Sequence, residues 1–217
     1  MLRIENVSKS YDTLRVLTDV NLTIDDGEFV SIVGPSGAGK TTLLNIIGSL
    51  ERPDTGSITF DGVEIVGLSD KRLAEFRNRN LGFVFQFHQL LPEFTLVENV
   101  ALPAMIAGKG RNESLEKAAS LLGTLGLSDR LDHRPDKVSG GERQRAAVAR
   151  ALINDPGIIL ADEPSGSLDT HNREELYRLF FDLREHTHKT FIIVTHDESL
   201  ASTSDRIIHM RDGRIIQ

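Results

Sequence analysis

Residues 34–41 read GPSGAGKT, a run whose residue types and spacing suit one task, the wrapping of a chain of phosphates. Gly34, Gly37 and Gly39 let the backbone curl so that its N–H groups converge on phosphate oxygens, and a helix opening directly behind adds positive potential at the same point. Lys40 supplies mobile charge between β- and γ-phosphates, and Thr41 can give its hydroxyl to magnesium. Pro35, Ser36, Ala38 and Thr42 complete the nucleotide-binding run. A second candidate group closes the stretch GIILADEP at 157–164. Asp162 is placed to hold the metal through its water shell, and Glu163 to polarise a water for in-line displacement. Alone, a strand that surfaces in an acidic residue is ordinary; beside a phosphate loop it supplies what that loop lacks. The third group is VSGGERQRAAVARAL at 138–152. Ser139 with Glu142 three residues on spells a capping box, a well-started helix. Gly140 and Gly141 also expose backbone N–H groups to an anion; spacing leaves both readings open.

The elements that must position these groups follow from periodicity. LRIENV (2–7), VNLTI (20–24), FVSIV (29–33) and SITF (57–60) read as strands separated by the turn signals DDG and RPDTG. Behind the glycine loop, Leu43, Ile46, Ile47 and Leu50 recur on one face of a helix. The arrangement is strand, loop, helix. GFVFQ reads as a strand closed by Gln86. From about 87 to 156 the texture turns helical, with good helix formers and few β-branched residues, implying a helical lobe inserted in an α/β core. GIILAD and FIIVTH are continuous apolar runs that suit strands covered on both faces, with EELYRLFFDL as the crossover helix of a parallel pair. RIIHMRDGRIIQ reads as a hairpin turning at Asp212 and Gly213.

Composition bounds the partners. With 217 residues the chain can bury a core without staples, and 25 Lys plus Arg against 32 Asp plus Glu leave a net charge of -7, unfavourable for a nucleic-acid partner. There is no cysteine, so the chemistry falls to oxygen and nitrogen groups. No secretory signal is visible in MLRIENVSKSYD, and runs such as FIIV fall far short of the roughly 18 residues that span a bilayer. Membrane association is therefore expected to be peripheral, through another chain.

GPSGAGKT, Gln86, SGGERQR, LADEP, SGSLD (165–169) and VTHD (194–197), in that order, resemble the nucleotide-binding subunits of ATP-binding-cassette transporters from Tyr11 to His196. The resemblance implies an α/β fold of ABC ATPase type. Its P-loop NTPase core would be a parallel sheet flanked by helices, with an antiparallel β subdomain (together 1–86 and 157–217), and an inserted helical subdomain would span 87–156. ATP and Mg2+ are the implied ligands. Tyr11 matches the aromatic that stacks on adenine, with packing the alternative. Gln86 matches the glutamine that touches magnesium and water and senses the membrane partner, with a polar strand end the alternative. Ser139, Gly140 and Gly141 match the signature that binds the γ-phosphate held by the other copy of a homodimer. Asp169 matches the acidic residue that crosses between copies, although Asp169 or Asn172 could equally cap the next helix. His196 matches the histidine that contacts the γ-phosphate, with a histidine that merely ends the strand FIIVT the alternative. Val138, Glu142, Ser165 and Ser167 depart from the commoner residues without removing a phosphate or metal ligand.

VFQFHQLLPEFTLVENVALPAMIAG, with HRPDKVSGGERQR downstream, is similar to the ATP-binding subunit of bacterial lipoprotein-releasing exporters, with macrolide-efflux and cell-division ATPases as competitors. This implies integral membrane permease partners and a place on the cytoplasmic face of the inner membrane. Phe87, Leu90, Leu91 and Phe94 beside the glutamine would form a groove for a partner's short helix, or be buried inside the helical lobe.

Overall fold

The computed structural model describes residues 1–216; Gln217, which ends the expected hairpin, lies outside the described residues. Strands sort into two sheets by their burial pattern. β1 (Leu2–Tyr11) and β2 (Leu14–Ile24) bury residues on one side only, and with β4 (Thr55–Phe60) and β5 (Val63–Glu64) they form an antiparallel sheet in the order β2-β1-β4-β5. β3 (Phe29–Val33), buried at four successive positions, leaves this group for the second sheet. That sheet runs β10-β9-β3-β8-β7-β6, where β6 is Leu81–Phe85, β7 Ile158–Asp162, β8 Thr190–Val194, β9 Arg206–Arg211 and β10 Arg214–Ile216. All its pairings are parallel except the β9–β10 hairpin.

The core lies on both faces of the parallel sheet, and β8 shows why its run is unbroken. Ile192 and Val194 pack with α1 (Lys40–Ile47) and the antiparallel sheet, while Phe191 and Ile193 pack with α5 (Gly140–Leu152) and α6 (Thr170–Thr187). Phe191 stacks on Phe29 with ring centroids 5.4 Å apart, adding aromatic contact to the burial. The helical lobe comprises α3 (Leu96–Ile106), α4 (Arg111–Thr124) and α5, closed over Val100, Ala104, Ala118 and Leu122.

Three expectations are corrected. Leu50 is not on the face of α1: that helix stops at Ile47, Gly48 and Ser49 turn the chain, and Leu50 is exposed, while Leu44 is buried in its place. Gln86 lies one residue beyond β6, in the turn that follows. A helix α2 (Asp70–Asn80) precedes β6 where none was anticipated, because DKRLAEFRNRN is polar nearly all round and buries only Leu73. Among the described residues no helix is long and apolar enough to cross a membrane.

Candidate functional site

Parallel register brings the chemistry together. Phe85, Asp162 and Val194 pair in one row, and Ile32 pairs with Val194, so the next residues along each strand emerge on the same edge. Those are the glycine loop after β3, Gln86 after β6, Glu163 after β7 and His196 after β8. The carboxyl ends of parallel strands are where an open α/β sheet offers a crevice.

The glycine loop wraps back on itself. Gly37 (φ 79°) and Gly39 (φ 92°) take left-handed conformations that other residues avoid. Gly39 is the N-cap of α1, whose first turn carries no capping side chain and no acidic residue. The N–H groups of that turn have no intrahelical partner, and the positive end of the helix opens onto the loop. The Lys40 ammonium folds over the curl and donates to the carbonyls of Gly34 at 2.8 Å and Pro35 at 3.0 Å. Behind the loop, the Gly213 N–H of the hairpin turn donates to the Ala38 carbonyl at 3.2 Å, tying the end of the sheet to the site.

Thr41 Oγ1 donates to Asp162 Oδ1 at 3.2 Å. Burial pushes the Asp162 carboxyl above its ordinary range, with the Thr41 hydrogen bond opposing that rise and neighbouring Glu163 adding to it. Such a carboxylate calls for a cation. One hydroxyl and one half-buried carboxylate suit magnesium, which takes few protein oxygens and completes its shell with phosphate and water. Glu163 turns away into a left-handed conformation (φ 45°), and its Oε2 accepts from the His196 ring Nδ1 at 2.8 Å.

Gln86 packs against the turn after Glu163. A Cβ built on Gly166 would fall 2.7 Å from Gln86 Nε2, and Ser167 Oγ donates to the Gln86 carbonyl at 3.1 Å. The chain beyond Gln86 is bent by His88 and Gln89, both at positive φ, and Arg150 of α5 clamps their carbonyls at 2.8 and 2.6 Å. An arginine near a helix end reads in sequence only as a partner for the helix dipole, so this clamp left no local signal. Phe87 is 76% exposed and Leu91 and Phe94 are also exposed, while Leu90 packs against the core. Gln89 of the same segment lines a cavity of about 780 Å³ that runs from Phe83, Pro103 and Ile106 to Thr41 and Asp162.

The Ser139–Gly141 corner stands elsewhere. Ser139 and Glu142 form the capping box, with Ser139 N–H donating to Glu142 Oε2 at 2.7 Å. A Cβ built on Gly140 or Gly141 would meet Leu168, Arg143 and Asn172, and His88 reaches the Gly140 backbone; none of these is in the phosphate loop. Asp169 caps α6 by accepting from the Asn172 N–H at 2.9 Å. Tyr11 is 43% exposed at the end of β1, with its hydroxyl donating to Glu51 Oε2 at 2.5 Å.

The family described as ABC transporter matches residues 17–166. The "Lipoprotein-releasing system ATP-binding protein LolD" of Bacteroides thetaiotaomicron is 59% identical over 215 residues, covering 99% of this chain and 99% of that protein. The protein of the same name from Porphyromonas gingivalis is 59% identical, covering 98% of this chain and 97% of its own length. Among solved structures, the dimeric post-hydrolysis state of the ATP-binding cassette MJ0796 bound to ADP and Pi aligns at a TM-score of 0.93 and 41% identity, covering 100% of this chain and 97% of that one. The chain therefore belongs to the ABC transporter family, as an ATP-binding cassette whose ATPase activity is coupled to transport.

Proposed function

We propose that this chain is the ATP-hydrolysing subunit of a transporter that releases lipoproteins from the inner membrane. It would act at the cytoplasmic face as a head-to-tail pair of copies bound to integral permease subunits. The full-length identity to lipoprotein-releasing subunits supports the cargo class. One geometric observation carries the paired reading: the phosphate loop, Asp162, Glu163 and His196 share one sheet edge, whereas the groups found against Gly140 and Gly141, namely His88, Leu168, Arg143 and Asn172, lie outside the phosphate loop. A γ-phosphate seated in one chain then lacks those N–H donors unless a second copy brings them.

In this reading Tyr11 stacks on adenine. Residues Gly34 to Thr42 wrap the phosphates, with Lys40 neutralising charge between β and γ. Thr41, Asp162 and Gln86 would hold magnesium, which when bound neutralises charge developing on the phosphates. Glu163 accepts a proton from the water that attacks the γ-phosphorus as the bond to the ADP oxygen breaks. His196 orients Glu163 and contacts the γ-phosphate. Ser139, Gly140, Gly141 and Asp169 face the partner copy's nucleotide. ATP completes the interface with its own charge, and phosphate loss removes that charge, so the copies part. The core (1–86, 157–217) and helical lobe (87–156) transmit this to the permease at the exposed apolar surface beside Gln86.

Gel filtration of Glu163→Gln with Mg-ATP tests the pairing: a dimer is expected, and a monomer at all concentrations defeats it. Co-purified permease carrying bound lipoprotein is expected from membranes, and permease devoid of lipoprotein would overturn the cargo.

A further inference from the structure

Glu163 holds a backbone conformation (φ 45°) that a glutamate keeps only where its surroundings over-determine it. Part of the restraint is direct. Its N–H donates to the Val194 carbonyl at 2.9 Å, and its carbonyl accepts from the Gly166 N–H at 3.0 Å. The rest lies one layer behind. Tyr177, in the middle of α6 and 9% exposed, donates its phenol proton to Asp197 Oδ2 at 2.8 Å. With that proton committed, the buried Ser165 hydroxyl donates to the phenol oxygen at 2.7 Å.

The bridge has a definite place in the chain. Ser165 stands two residues after Glu163, and Asp197 directly follows His196. One buried oxygen thus joins the two segments whose tips meet in the Glu163–His196 hydrogen bond. The Asp197 end is fixed: its Oδ1 accepts from the Ser199 N–H at 2.9 Å, and its own N–H donates to Thr195 Oγ1 at 3.0 Å. The Glu163 end is held through the backbone and by one hydroxyl, the Leu168 N–H donating to the Ser165 carbonyl at 3.0 Å and Ser167 Oγ to the Gln86 carbonyl at 3.1 Å, while the turn itself is exposed at Gly166 and Ser167. Phenylalanine at 177 would fill the same space without burying a phenol, so packing alone does not account for the triad.

We infer that Tyr177 is a positioning residue for ATP hydrolysis, holding Glu163 against His196 through its bridge between Ser165 and Asp197. The inference rests on the reading of Glu163 as proton acceptor. In the full-length protein, Tyr177→Phe lowers kcat about tenfold while KM for Mg-ATP stays within about twofold, and Ser165→Ala, which opens the same bridge, does likewise. In a Glu163→Gln background, Tyr177→Phe changes the single-turnover rate by less than about twofold, because no base remains to be aimed. A role confined to folding would cut the rate by the same factor in both backgrounds. Equal loss in both, or a Tyr177→Phe kcat within about twofold of the parent, overturns the inference. If Glu163→Gln itself keeps the parent rate, the assignment of Glu163 falls and takes the inference with it, a result distinct from a failure of Tyr177 alone.

Discussion

A methyl group added to Gly140 and to Gly141 in turn separates what each glycine is for. Both lie in the first turn of α5. A Cβ on Gly140 meets nothing closer than Leu168 Cδ2 at 3.8 Å, ordinary contact. A Cβ on Gly141 would collide with the Asn172 amide, its Cγ 2.7 Å away. Asn172 would have to swing out, breaking the bond from its Nδ2 to Asp169 Oδ2 at 2.6 Å. That bond to a fully exposed carboxylate contributes little, and replacing helical glycine by alanine returns up to about 1 kcal/mol. Gly141→Ala is therefore near neutral in stability, with a melting shift within about 4 °C, and Gly140→Ala is neutral or slightly stabilising. Function divides them differently. Both variants, in the Glu163→Gln background, lose ATP-driven dimerisation by light scattering at least about tenfold, Gly140→Ala because its methyl stands where a partner's phosphate must approach. Adding Asn172→Ala restores pairing to Gly141→Ala, whose fault is the displaced cap of α6, and does nothing for Gly140→Ala. Rescue of Gly140→Ala, absence of rescue for Gly141→Ala, or unimpaired pairing by either single variant would refute the reasoning.

Two further outcomes test the site. Lys40→Ala should lower ATP turnover by about 10²-fold or more, since it removes the ammonium that now rests on the Gly34 and Pro35 carbonyls; phosphate release at the parent rate would show the loop to be misread. Asp162 carries a carboxyl raised by burial, so the native state holds its proton to higher pH than the unfolded chain does. Stability then falls as pH rises from about 4 through the raised value, and the buried charge remains unfavourable at neutral pH. Asp162→Asn without nucleotide should melt higher than the parent at pH 7, with the gap closing near pH 4. Magnesium with ATP should raise the melting point of the parent more than that of the variant. A lower melting point for Asp162→Asn at pH 7 would contradict the burial argument.

The glycine loop and the helix behind it were legible because their signal is local: glycines at fixed spacing, a lysine, and a helix start, all within eight residues of chain. The capping box of Ser139 and Glu142 and the turn at Asp212 and Gly213 were legible for the same reason. Continuous apolar runs marked β7 and β8 as covered on both faces. Periodicity overran at Leu50, because an apolar residue in helical phase does not show where Gly48 ends the helix, and it missed α2, whose polar surface leaves almost no apolar stripe. Residue types alone could not divide the first four strands between two sheets, since pairing depends on partners more than 150 residues away, as in Phe29 with Phe191.

The same division holds inside the site. Sequence placed Lys40, Thr41, Asp162 and Glu163 as chemical groups, and tertiary structure put them on one edge by aligning the rows of β3, β6, β7 and β8. It also decided matters that no spacing encodes. Arg150 shapes the turn after Gln86 across 61 residues, Tyr177 reaches Asp197 across 20, and Asn172 rather than a ligand lies where a side chain on Gly141 would go. Local chemistry is written in neighbouring residues because a turn or a cap needs only its own few dihedrals. Which distant groups meet is set by how the two cores close around the parallel sheet, and that is a property of packing.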